Sequence, residues 1–275
     1  MAENINFDMD DLGLGDFSDI DLFKQDDKKG KAAVNKVNVV EEKDLIYDKE
    51  YGCPVCDHKF TSKTVKTGKN KLMSTDTDLR PLYKELDSNK YDAVTCPICG
   101  YGVLARYFVP LSDRQVKECR EQIASKYRGS KPDNTEMYTY DEALKRFKLV
   151  LISCIVKNSK ASEKAYTCLK LAWLCRGKAE SLNEDDKEIE GLKVQELKFI
   201  QNAIEGFEKA LSNENLPICD MDEHTLSYLL ADLHRRTGNP DTTLKYLSKV
   251  ITSRNASDRL KDRARDLKDL IKEVK

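Results

Sequence analysis

No stretch of this chain comes near the 18 or so consecutive apolar residues that a membrane-spanning helix needs. Its first residues, MAENINFDMDD, lack the charged-then-apolar pattern of a secretory leader. No nucleophile–base set, no phosphate-binding loop and no HExxH motif occurs. Histidine is scarce, at three residues, and tryptophan occurs once. Together these absences predict a cytoplasmic, non-enzymatic protein with no membrane partner. In that compartment thiols stay reduced, so the nine cysteines are not read as a disulfide framework.

What is present is an ordinary soluble composition. Hydrophobic residues make up 40% and charged residues 35% of 275, enough chain for one large domain or two smaller ones with a real core. The net charge of −1 is unevenly spread. Residues 1–27 carry nine acids against Lys24 alone, or −8, which leaves +7 for the rest. That mild surplus is no mandate for nucleic-acid binding. Residues 1–36 read as an acidic disordered tail. Its spaced apolar residues, from Phe7 to Phe23, fit either a solvating tail, one packed on its own domain, or one that docks on a partner.

Four cysteines form two pairs. The first lies in YGCPVCDHKF (51–60), as Cys53 and Cys56; the second lies in TCPICGYG (95–102), as Cys96 and Cys99. A CPxC turn lets two thiolates face one ion, and Gly100 stands where such a knuckle often needs positive φ. Asp57 holds that place in the first knuckle, a mild departure because Asp tolerates the conformation. Two knuckles supply a closed Zn(Cys)₄ site, with a structural rather than catalytic ion. Rubredoxin-like iron and two separate redox dithiols are the alternatives. His58 is read as a bystander, since a Cys₃His shell would leave one knuckle cysteine idle. Cys119, Cys154, Cys168, Cys175, Cys219 and Trp173 are read as core on apolar helix faces, and His224 and His234 as surface or groove residues.

Between the knuckles, KFTSKTV (59–65) alternates like a half-exposed strand, and TGKNK (67–71) reads as a hairpin turn. Lys59, Lys63, Lys66, Lys69 and Lys71 make a lysine hairpin at 58–75 that suits nucleic-acid phosphates or simple edge protection. In TDTDLRPLY (75–83), Asp76 and Asp78 offer too few oxygens for a cation. A turn capped by the Asp side chains and paired with Arg80 is the better reading. Segments 90–96 and 101–109 read as strands.

From residue 112 the period becomes helical. Capping boxes stand at Ser112/Gln115 and Thr139/Glu142. Helices are expected from 112, over 141–157, 162–180, 188–212, 222–237 and 240–253, and from 255 onward. The second, containing LVLISCIV (149–156), is apolar nearly all round and should pack on more than one side. Residues 228–251 resemble a tetratricopeptide repeat, with Leu230, Ala231, Gly238, Thr243, Leu247 and Val250 at the matching positions. The pair 162–180 and 188–212 reads as a diverged copy.

The order of CPVC, TDTDLRPLY, YDAVTCPICGYG and the helical run 143–176 resembles domain-of-unknown-function family 2225, over roughly residues 45–250. The resemblance implies a cytoplasmic bacterial protein with a cysteine-rich module and tetratricopeptide-like helices, and supplies no activity. The expected architecture is therefore α+β: an acidic tail (1–36), a zinc-ribbon-like β module (37–110) and a helical repeat domain (111–275). The expected function is a zinc-binding protein–protein interaction scaffold that docks a peptide or protein in the helical groove. The alternative is a nucleic-acid-binding zinc ribbon using the lysines of 58–75.

Overall fold

A computed structural model describes residues 40–129 and 135–273; the expected acidic tail lies outside them. The architecture is α+β. Three two-stranded antiparallel ladders come first, β1 (Ile46–Gly52) with β2 (Lys59–Val65), β3 (Leu72–Thr75) with β4 (Pro81–Tyr83), and β5 (Ala93–Thr95) with β6 (Gly102–Leu104). Seven helices follow: α1 (Asp113–Cys119), α2 (Tyr140–Val156), α3 (Ala161–Ser181), α4 (Glu188–Asn213), α5 (Glu223–Arg236), α6 (Pro240–Thr252) and α7 (Asp258–Glu273).

Local chemistry accounts for most of the helix boundaries. Ser112 and Thr139 each accept from the backbone amide three residues on, and Gln115 and Glu142 reach back to close both capping boxes. Asp222 and Asn239 cap α5 and α6, and Pro240 sits at the first turn of α6, where its missing N–H costs nothing. The helix expected from 112 stays α-helical only to Cys119. Residues Arg120–Ala124 then open into a wide turn in which the Ser125 amide reaches back five residues to the Arg120 carbonyl.

The strands depart from the expected pairing. β2 does not fold across the TGKNK turn onto β3; it pairs back through the first knuckle onto β1. No lysine hairpin forms, because the knuckle itself is the tight turn that fixes the register of 59–65. The expected strand at 101–109 stops at Leu104, where a 3₁₀ turn (Ala105–Tyr107) begins.

α3 and α4 run antiparallel: Ala165 lies against Gly206 and Arg176 against Glu196. α5 and α6 do the same, with His234 on Tyr246 and His224 bonded to Ser253. α2 packs on more than one side, as expected, against α3 and against the β5–β6 ladder, and α3 is likewise packed on two sides. Ala165, Leu169, Ala172 and Trp173 face the core shared with α4 and α5, while Leu171, Leu174 and Cys175 face the core shared with α2. α2 leaves Ile152 (45%) and Ile155 (60%) exposed, because no element among the described residues covers its outer face.

The β5–β6 ladder lies directly on α2. Ala93 and Leu104 share a core with Phe147 and Val150. A Cβ on Gly102 would come within 2.8 Å of the Val150 backbone nitrogen, so only glycine permits this approach of strand to helix. The Gly102 amide donates to Ser153 Oγ at 2.9 Å. Arg146 of α2 donates to Ser62 Oγ at 2.7 Å and to the Ala93 carbonyl at 3.2 Å, which ties β2 and β5 to the same helix.

Candidate metal centre

The two knuckles are built alike. Gly52 pairs with Lys59 and Thr95 with Gly102, so residues 53–58 and 96–101 are each the closed end of a hairpin. In the first, the Cys53 amide donates to the His58 carbonyl at 2.9 Å and the Asp57 amide to the Cys53 carbonyl at 3.0 Å. In the second, Cys96 donates to Tyr101 at 2.8 Å and Gly100 to Cys96 at 3.0 Å. The residue after each second cysteine is left-handed, Asp57 at φ 62° and Gly100 at φ 73°. Both knuckles therefore take the conformation expected of them, with an Asp bearing the strain that the glycine avoids.

The hairpins bring all four sulfurs together, each within 4.8 Å of the others. Two close approaches cross from one knuckle to the other: Cys53 to Cys99 at 3.5 Å and Cys56 to Cys96 at 3.6 Å. Metal–sulfur bonds of about 2.3 Å in a tetrahedron set their sulfurs about 3.8 Å apart, so the donor set fits one ion. The cross-knuckle pairing makes this one shared cluster rather than two separate dithiols. Cys53, Cys96 and Cys99 are buried with Tyr51, Val94 and Val103.

Electrostatics favours a cation at the centre. Hydrogen bonds from Cys53 and then Cys99 hold the Cys96 sulfur well below the ordinary thiol value. Cys53, bonded to Cys96, is pushed up to about 12, and Cys99, beside Cys53 and Cys96, is pushed up further still. One thiolate forms readily and the next ones are opposed by it. Only a positive ion among the sulfurs lets all four ionise together. His58 is exposed and gives the cluster only its backbone carbonyl.

A second polar constellation holds the β3–β4 loop on the helices. Asp76 accepts from Arg80 Nε at 2.8 Å, as expected. The helical partners carry the rest. Asp78 is fully buried and accepts from Arg176 Nη2 at 2.6 Å and Trp173 Nε1 at 3.1 Å, with Arg236 at 3.6 Å. Burial alone raises the Asp78 carboxyl, but the Arg176 guanidinium, with Arg236 behind it, outweighs burial and holds it below the ordinary carboxylate range. Arg80 forks onto Glu180 at 2.7 and 2.8 Å. Thr77 donates to the buried Asp232 of α5 at 2.8 Å, and Arg263 of α7 donates to the Asp76 carbonyl at 3.0 Å. The face formed by α3, α5 and α7 thus carries this chain's own loop. No sequence motif marks Arg176, Arg236 or Arg263 as its partners.

Other singled-out residues fall as follows. Cys119, Cys154, Cys168, Cys175 and Trp173 are buried. Cys219 is half-buried and sits not on a helix but in the turn between Ile218 and Met221, at φ 51°. His234 is buried against Tyr246 and bonded to Glu208 at 3.1 Å. Lys63 pairs with Asp48 at 3.1 Å and Lys66 donates to the Asp44 carbonyl at 2.8 Å, while Lys59, Lys69 and Lys71 are exposed. No helix among the described residues is long and apolar enough to cross a membrane.

Fold and site together define an α+β protein in which two cysteine knuckles, gathered on small antiparallel hairpins, form a four-sulfur cluster able to hold one metal ion beside a helical layer. The chain belongs to the family described as an uncharacterized protein conserved in bacteria (DUF2225), whose model matches residues 46–271. No curated protein and no solved structure matches it.

Proposed function

We propose that this protein is a non-enzymatic interaction scaffold whose hairpins are stapled by one structural zinc ion on Cys53, Cys56, Cys96 and Cys99. The observation that supports this reading is the closed four-sulfur cluster. Four thiolates fill a tetrahedral shell and leave no position for a water or substrate, and they are a donor set that zinc favours. Bound zinc acts as folding free energy, of order 10–16 kcal/mol in small sites, which suits short hairpins with little core of their own. One zinc per chain in metal analysis of the purified, colourless protein is the expected result. A coloured, iron-loaded protein overturns the choice of metal.

The partner is a protein or peptide. Because the α3–α5–α7 face carries the 75–81 loop, the available docking face is the outer side of α2, where Ile152 and Ile155 are exposed beside the exposed Lys145 and Lys148. Its chemistry suits an acidic peptide with apolar residues at helical spacing. Changing Ile152 and Ile155 to Glu should abolish capture of partner from lysate; undiminished capture overturns this face. A nucleic-acid reading rests on the exposed Lys59, Lys69 and Lys71. It requires salt-sensitive RNA or DNA binding that Lys69→Glu and Lys71→Glu weaken, and no binding at low salt removes it.

A further inference from the structure

The wide turn after α1 lies over both knuckles, and it brings two side chains to them. Arg120 Nε donates to the carbonyl of Val55, the residue before Cys56, at 2.6 Å, and its Nη2 lies 3.8 Å from the Asp57 carboxylate. Seven residues on, the Tyr127 ring covers Gly100 of the second knuckle so closely that a Cβ there would meet it at 2.6 Å. Cys119 and Ile123 of the same segment are buried in the core that holds Cys53, Cys96 and Cys99. A continuous α-helix makes i→i+4 bonds; here the Ser125 amide bonds the Arg120 carbonyl instead, a widening that is frequent at functional sites.

We propose that Arg120 is a positioning residue for the metal, resting on the zinc reading above. Four thiolates around a divalent ion leave a net charge of about −2 at the cluster. Asp57 adds another negative charge at the first knuckle. The second knuckle, CPICGY, carries no charged residue, so the imbalance sits on the first. Arg120 answers it from outside the ligand set. The ion pair with Asp57 is exposed and long, and pairs of that kind contribute little. The charge-assisted bond to the Val55 carbonyl is shorter and partly buried, so it carries the effect. It fixes the plane of the Val55–Cys56 peptide and, with it, the turn that aims both sulfurs. Tyr127 does the corresponding steric work on the second knuckle. Arg120 governs how long the cluster retains its ion, without being one of its ligands.

The test is the rate of zinc transfer from the full-length protein to a colorimetric chelator at neutral pH. Arg120→Met keeps the aliphatic stem and removes the donor. It should still bind one zinc per chain and release it about tenfold faster, the scale seen when groups that orient metal ligands are removed. Arg120→Lys, which keeps the charge but not the fork, should fall between the two and carries the test if the Met variant fails to fold. A release rate within twofold of wild type in the folded variant overturns the proposal while leaving the zinc reading intact. A wild-type protein that holds no zinc overturns the reading itself.

Discussion

Two polar clusters hold this protein together, and they differ in nearly every respect. The sulfur cluster joins two hairpins through four identical donors able to close on one ion. The loop 76–80 joins those hairpins' neighbour, β3–β4, to α3 and α5 through Asp–Arg pairs and to α7 through the Arg263 bond to the Asp76 carbonyl. The first gathers donors of one kind, whose thiols oppose each other's ionisation. The second compensates each buried acid with protein cations. The comparison teaches that burial of like groups signals a ligand, whereas burial of opposite groups signals architecture.

The largest effect that separates the two should come from Cys96→Ser. Loss of the ion removes a term of order 10 kcal/mol from the hairpins. Hydrogen exchange should show loss of protection over 46–65 and 93–104, while α3–α6, held by their own core, stay protected. Metal analysis should find no zinc. Stoichiometric zinc in that variant would show the cluster assignment wrong.

Next comes the clamp. Asp78→Ala leaves Arg176 buried beside a missing partner and should cost about 3–5 kcal/mol in urea unfolding, with zinc content unchanged. Replacing the pair together, Asp78→Leu with Arg176→Met, should recover only part of that loss, because it removes the uncompensated guanidinium but leaves Trp173 Nε1, Arg236 and Glu196 without these partners. A double variant as unstable as the single one would mean that the charges themselves are indispensable.

Acid sharpens the contrast more gently. The folded-state value of Asp78 lies below its unfolded one, so the unfolded chain takes up the proton first. The clamp's contribution is fully present above the ordinary Asp value of about 4 and is lost as pH falls through the lower folded value. Melting temperatures of wild type and Asp78→Asn should therefore differ most near neutrality and converge in acid. A gap that stays constant would remove Asp78 as the titrating group.

The smallest effect compares the knuckles with each other. Gly100→Ala should destabilise by about 1–2 kcal/mol, since it sets a side chain in the left-handed region and against Tyr127. Asp57→Gly should change stability by less than about 1 kcal/mol, because relief of the strained φ is offset by the added freedom of the unfolded chain. Thermal melts of the two zinc-loaded variants decide it.

The legible parts of the molecule were those fixed by short-range rules. Capping residues such as Ser112, Thr139 and Asn239 set helix ends through bonds three residues long, so their positions could be read directly. The CPxC knuckles could be read for the same reason, down to positive φ at Asp57 and Gly100. The pairing of β2 was misread because a Gly-Asn turn at 67–71 and a knuckle at 53–58 are both credible reversals, and only the second closes a ladder. The packing of α2 on more than one side could be read from its apolar run, but that Ile152 and Ile155 would stay exposed could not, because an apolar run does not say which faces find neighbours.

The sequence by itself determined the α+β order, the capped helix starts and the four sulfurs, since each follows from residues close together or from a motif whose chemistry needs no context. Tertiary structure alone decided the partners of Asp78, the guanidinium on the Val55 carbonyl and the occupation of the helical face by residues 75–81. Those contacts join positions 65 to 187 residues apart. Arginine and aspartate are common enough that many such pairs are chemically equivalent in the unfolded chain. Packing selects among them, because only the pairs it brings within bonding distance while excluding water are strong enough to persist.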